Sequence, residues 1–182
     1  LGTRSVDGAD NQLRWRNVLR PKEIPWLAGH QIQGQIVFPG AGYVAAVLES
    51  ARYLAGKNSI RIIELQDVII GQAIAFNDEE SSIETLFSLT NIIRDGDSVS
   101  ADFSHFSATG NDTSDLSLNC GGRLLFELGS PSVDTLPSRS SETTSLVDVS
   151  PDQFYTSLSE VGYEYSGPFR GLSSLKRKLG TA

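Results

Sequence analysis

The run Pro39-Gly40-Ala41-Gly42-Tyr43-Val44-Ala45-Ala46-Val47-Leu48-Glu49-Ser50-Ala51-Arg52-Tyr53-Leu54-Ala55-Gly56 decides the fold. From Ala41 to Ala55 it is apolar on nearly every side, and it stops at Gly56, a residue suited to the position after a helix C-cap. A helix with so little polar surface must be buried. Upstream, Trp15 to Leu19 reads as a short strand closed by Pro21 and Pro25. Downstream, strand-like segments follow in succession: Ser59 to Phe76, broken near Gly71, then Ser82 to Ile93, Ser98 to Thr109 and Leu116 to Leu128. Asp78-Glu79-Glu80, Asp95-Gly96-Asp97 and Gly110-Asn111-Asp112 separate them as turns.

One buried helix followed by antiparallel strands predicts an α+β hotdog fold, with the sheet wrapped around the helix. Alternation supports it: Val99, Ala101 and Phe103 share one face, while Ser98, Ser100, Asp102 and Ser104 share the other. His105 continues the Val99 face and reads as a hydrogen-bonded histidine near the sheet rather than a catalytic base.

The segment entering the helix carries the chemistry. His30-Gln31-Ile32-Gln33-Gly34-Gln35-Ile36-Val37-Phe38-Pro39-Gly40 holds a histidine, a glycine four residues on, and a Pro-Gly pair at the helix start. Histidine has the side chain whose ordinary pKa lies nearest neutrality, so it can accept a proton from carbon. Gly34 leaves room for a backbone or a substrate arm to pass. Pro39 suits a helix start, and Pro39-Gly40-Ala41-Gly42 offers no Ser, Thr, Asp or Asn to cap the free N–H groups. Uncapped donors at the positive end of a helix dipole suit a developing enolate oxygen.

His30, Gly34, Pro39 and Gly40 match the HxxxGxxxxPG pattern, and the chain here resembles the dehydratase domains of polyketide synthases. Phe38-Pro39-Gly40-Ala41-Gly42-Tyr43 is most similar to the fungal, highly reducing, iterative synthases. A second segment, Gly162-Tyr163-Glu164-Tyr165-Ser166-Gly167-Pro168-Phe169-Arg170-Gly171-Leu172, is similar to that family's GYxYGPxF motif. Two departures stand out: Ser166 lies between Tyr165 and Gly167, and Gly29 stands where many relatives carry aspartate before the histidine.

The resemblance implies dehydration of a β-hydroxyacyl thioester to the α,β-enoyl thioester, with His30 as the catalytic base. It implies substrate contacts from Gly34, Pro39, Gly40, Tyr163, Gly167, Pro168 and Phe169, with Tyr165 beside them and Val37 and Phe38 along an acyl tunnel. The substrate would arrive on the phosphopantetheine of an acyl carrier domain, without a metal or redox cofactor. Other domains of the synthase would be partners, in a homodimer. The family's aspartate, in a DxxxQ or DxxxH motif of a second hotdog half, has no match; Asp148 and Asp152 precede the Tyr163 segment and come too early. Two rival readings are a product-template cyclisation domain of a non-reducing synthase and a catalytically silent carrier-binding scaffold.

Composition narrows the remaining classes. The chain has 182 residues, of which 39% are hydrophobic, and a length near the roughly 150 residues of one domain can bury a core. No run approaches the roughly 18 apolar residues that cross a bilayer, and Leu1 to Gln12 has no signal-peptide core, so a cytoplasmic protein without membrane contact is expected. Cys120 is the lone cysteine, and two histidines without CxxC or HxxxH spacing argue for no zinc site. A net charge of −7 opposes nucleic-acid binding. The basic clusters Arg14, Arg16, Arg20 and Lys22, and Lys176-Arg177-Lys178, read as solvated faces, with docking of an acidic carrier domain as the alternative. Residues 1–128 are expected to form an N-terminal hotdog, 129–149 a Ser/Thr/Pro-rich linker, and 150–182 the opening of a C-terminal hotdog whose first helix starts at Ser150-Pro151-Asp152.

Overall fold

The computed structural model describes residues 1–5, 11–109, 112–133, 136–138 and 146–178. Helix α1, Gly40–Ala55, buries Tyr43, Val47, Ser50, Ala51 and Ala55, which recur at helical spacing along one face. The opposite face is less enclosed than its composition implied, since Val44 and Tyr53 stay exposed. Ala45, Glu49 and Arg52 are the exposed positions between them, so the outward face is broken by polar residues.

Among the described residues twelve strands accompany the helix: β1 Thr3–Arg4, β2 Leu13–Leu19, β3 His30–Ile32, β4 Gln35–Val37, β5 Ile60–Ile70, β6 Ala75–Phe76, β7 Ile83–Asp95, β8 Ser98–Thr109, β9 Asp112–Leu128, β10 Leu146–Val149, β11 Tyr163–Tyr165 and β12 Leu175–Lys178. The main sheet has the order β1-β2-β7-β8-β9-β5 and is antiparallel throughout. Its inward residues include Trp15, Phe87, Leu89, Val99, Ala101, Phe103, Leu124 and Phe126, which join Val47 and Ala51 of α1 in one core. Leu89, Leu124 and Val47 are almost fully enclosed. Each contributes about 1.5–3 kcal/mol of transfer free energy. The sheet wrapped on a central helix is the hotdog arrangement.

Two smaller sheets complete the described strands. The first has the order β11-β3-β4-β6, and the second pairs β10 with β12. Residues 150–178 therefore do not stand apart from the first unit. Helix α2, Pro151–Glu160, begins at Ser150 as the sequence suggested, and β11 then pairs directly with β3. Arg170 fastens the following turn to α2, pairing with Asp152 at 2.8 Å and lying 4.6 Å above the Tyr155 ring. The expected linker 129–149 also needs correction at its end. Leu146 to Val149 pair residue by residue with β12, Val147 opposite Arg177 and Val149 opposite Leu175, so this stretch is a strand. Residues 134–135 and 139–145 of that stretch lie outside the described set, as does the predicted turn at Gly110-Asn111.

Candidate active site

His30 ends a short 3-10 helix, Pro25–Gly29, and opens β3. Strands β3 and β4 form a hairpin in which Gln31 faces Ile36 and Ile32 faces Gln35. Its two-residue loop, Gln33 and Gly34, has φ of 53° and 76°, the left-handed pair of a tight hairpin turn. This explains Gly34 differently from the sequence expectation. A Cβ built there meets nothing within 4 Å, so the glycine serves the turn conformation and no chain segment passes close to it.

The hairpin folds His30 back toward the strand that leads into α1. His30 Nδ1 lies 2.7 Å from Val37 O. A carbonyl oxygen can only accept, so Nδ1 carries the proton and donates it. In the neutral ring the lone pair then resides on Nε2. No residue type announces this contact, because its acceptor is a main-chain carbonyl. Its signal is the hairpin itself, which brings positions 30 and 37 opposite one another.

Val37 is followed by Phe38, Pro39 and the first turn of α1. Pro39 occupies the N-cap with φ −72° and ψ 145°, and no side chain caps the helix. Gly42 N–H bonds Pro39 O at 2.8 Å, whereas Gly40 and Ala41 belong to the turn whose N–H groups have no intrahelical acceptor. A Cβ on Gly40 would meet only Ile70 Cδ1, at 3.3 Å, so the space beside its Cα is nearly open.

The distal motif closes the other side of the imidazole. Tyr165 pairs with His30 in the β11–β3 ladder. Its ring stacks on the imidazole at 5.1 Å and 20°. Phe169, at the end of the 3-10 turn Gly167–Phe169, packs on the same imidazole at 5.0 Å and 54°. Tyr163 lies one ladder step farther along, opposite Ile32, with its ring 6.2 Å from that of Tyr165. Gly167, at φ 53°, and Pro168 form the turn that delivers Phe169. The two motifs, separated by more than a hundred residues of sequence, thus meet at one histidine.

Phe38 and His105 belong to the packing beneath this site. The Phe38 ring contacts Tyr43 at 5.2 Å and His105 at 6.2 Å, so Phe38 packs against the core while staying partly buried. Gly42 is required here: a Cβ on it would collide with the Phe38 ring. His105 is buried on β8, where its Nδ1 has no hydrogen-bond partner but the Asn119 side chain is a hydrogen-bonding neighbour of the imidazole, in keeping with the role expected for it. Burial lowers its pKa from 6.5 to about 4; nearby Asn119 opposes that shift and the Leu1 ammonium reinforces it. Burial likewise raises the Cys120 thiol and pushes the Tyr43 phenol up to about 12. These groups are neutral in the folded protein near pH 7 and do not reach His30.

The carboxylates and basic clusters are mostly committed elsewhere. Asp152 pairs with Arg170 and Asp148 with Lys176 at the surface. Arg16 pairs with Glu84, Arg20 with Glu23 and Lys22 with Glu80. Among the described residues no group of His, Cys, Asp and Glu has the arrangement of a metal site, and no helix is long and apolar enough to cross a membrane.

Comparison with known proteins places this geometry in context. The family model described as the polyketide synthase dehydratase domain matches residues 1–102. The chain is 50% identical over its full length to the polyketide synthase-nonribosomal peptide synthetase ffsA of Aspergillus flavipes, and 47% identical to the hybrid PKS-NRPS synthetase poxE of Penicillium oxalicum. It spans only 4% of the length of either relative. The dehydratase domain from the CurF module of the curacin polyketide synthase superimposes with a TM-score of 0.74 at 18% identity, covering 98% of this chain and 61% of that one. The dehydratase domain of PpsC from Mycobacterium tuberculosis gives 0.72 at 19% identity, covering 97% and 57%.

Proposed function

Because the chain belongs to the polyketide synthase dehydratase domain family, we propose that it supplies the base-bearing N-terminal hotdog half of a dehydratase, acting on a β-hydroxyacyl thioester tethered to an acyl carrier domain. The observation that carries this reading is the His30 Nδ1–Val37 O hydrogen bond, which leaves Nε2 as the proton acceptor beside an uncapped helix start. Nε2 removes the α-proton, whose acidity the thioester supplies. The carbonyl oxygen gains negative charge and accepts from the Gly40 N–H. Electrons of the former C–H bond form the carbon–carbon double bond as the β C–O bond breaks. The departing hydroxide takes a proton from an acid outside this chain, and the products are the enoyl thioester and water. The steps are proton transfers and C–O cleavage, which need no electron carrier or metal.

Tyr165 and Phe169 pack on the imidazole and hold it for the proton transfer, while Pro39 and Gly40 open the helix whose N–H groups meet the carbonyl oxygen. The acid belongs to a second hotdog half, consistent with this chain covering 57–61% of the solved dehydratase chains. Ile70, exposed and close to Gly40, is an apolar side chain suited to cover by that half. Carrier and neighbouring synthase domains would act in cis within a cytoplasmic, dimeric synthase.

The test compares the 182-residue chain with one extended by about 100 residues, the size of one more hotdog unit, on the same carrier-bound substrate. Enoyl product is read by mass spectrometry and folding by circular dichroism. The extended protein is expected to turn over and the short one not. Robust turnover by the short chain would contradict the external acid; a folded but inactive extended protein bearing its aspartate would favour a scaffold or template role.

A further inference from the structure

Gly29 and Ser166, one from each motif, meet beside the base. Ser166 N–H donates to Gly29 O at 2.9 Å, continuing the β11–β3 ladder past Tyr165 and His30. Gly29 is buried, and its φ lies outside the left-handed region, so its backbone conformation would accept alanine. Space is what excludes a side chain. A Cβ on Gly29 would lie 2.6 Å from Ser166 O, 3.2 Å from Ser166 Oγ and 3.3 Å from Phe169 Cδ2.

Ser166 O is also the acceptor that starts the next turn, receiving Phe169 N–H at 3.2 Å. The atom that a Gly29 side chain would strike is therefore the anchor of the turn carrying Phe169. Phe169 in turn is wedged between His30, at 5.0 Å, and Trp26, at 5.9 Å. Ordinary contact with Ser166 O begins at 3.4 Å, so a side chain at position 29 must push the turn outward by about 0.8 Å or tilt the His30 backbone.

We propose that Gly29 is a positioning residue for His30: its missing side chain lets the Ser166 backbone close against β3 and thereby sets Phe169 and Tyr165 on the imidazole. The two places where the sequence departs from the motif pattern are then one structural unit. A 0.8 Å displacement matters because a misplacement near 1 Å can cost about a hundredfold in rate when it disturbs a reacting geometry.

The proposal rests on His30 as the base, and its test separates the two. In the complete dehydratase domain, with both halves, Gly29→Ala should lower kcat about 10- to 100-fold, leaving KM within about threefold. The same change in a Phe169→Ala background should add little, because both substitutions act through one contact. Ring signals of isotopically labelled His30 should shift in Gly29→Ala whether or not the domain turns over substrate, so an inactive wild-type domain would count against the function and leave the clasp measurable. A folded Gly29→Ala protein with kcat within threefold of wild type, or with a loss fully additive to that of Phe169→Ala, would overturn the proposal. Should Gly29→Ala fail to fold, Phe169→Leu must move the His30 ring signals; unmoved signals would overturn it equally.

Discussion

Lowering the pH should destabilise this protein through His105, and the amount can be worked from its surroundings. The imidazole lies under α1 among Phe38, Tyr43 and Phe87, with 6% of its surface exposed and Nδ1 unpartnered. Burial drops its pKa from 6.5 to about 4, so the unfolded chain binds a proton in the interval where the folded one does not. Stability is then greatest above pH 6.5, falls as the pH drops toward 4, and levels off below that. At about 1.4 kcal/mol per pKa unit the whole loss is about 3 kcal/mol, of which about 2 kcal/mol has gone by pH 5. That is a large share of the 5–15 kcal/mol typical of a domain, as an order of magnitude.

The assay is urea unfolding at pH 8 and pH 5, in wild type and in His105→Phe, which keeps a planar ring in an aromatic cage. Taking the difference between the proteins cancels the contribution of His30 and of the carboxylates. The Tyr43 phenol and Cys120 thiol, the titratable groups on α1 and β9 that face this site, are raised by burial and stay outside the interval. The pH-dependent loss in wild type should exceed that in His105→Phe by about 2 kcal/mol, and the variant should be no less stable than wild type at pH 8. An equal pH dependence in both proteins would refute the reasoning, since it would mean that His105 is protonated as easily in the folded as in the unfolded chain.

Three other outcomes follow from the same geometry. Gly40→Pro should fold, because Pro39 already has the extended conformation that a following proline requires, yet turnover by the complete domain should fall about a hundredfold with the N–H donor gone. A fall under about threefold, with thermal stability and substrate binding unchanged, would remove the oxyanion role. Gly42→Ala should cost about 1–3 kcal/mol in denaturant unfolding, since its Cβ would displace the Phe38 ring from Tyr43 and His105. Arg170→Ala should cost no more than about 1 kcal/mol, because its partner Asp152 is 90% exposed and the Tyr155 contact is partly solvated.

The large elements were legible because each carries its own period. The apolar run to Ala55 announces α1, and the alternation from Ser98 to His105 announces β8 and its inward face. The small elements around the site were not, because nothing local dictates them. Strands β3, β4 and β11 are three residues each and owe their form to pairing with one another across the length of the chain. The histidine and both motifs could be picked out, but not that Tyr165 would stack on His30, nor that a main-chain carbonyl would fix its tautomer. Gly34 and Gly42 look equivalent in sequence; one serves a turn and the other a ring contact, a difference only packing reveals. The final strand of the expected linker was obscured by its Ser/Thr-rich approach, since Leu146 to Val149 becomes a strand through β12.

The central claim is that His30 removes the α-proton. The most direct measurement is enoyl product formation by the complete dehydratase domain on a carrier-bound β-hydroxyacyl substrate, wild type against His30→Ala, with folding monitored in both. The account predicts that His30→Ala folds, binds the carrier-bound substrate and forms no detectable enoyl product. A folded His30→Ala protein that turns over at a near-normal rate would contradict it.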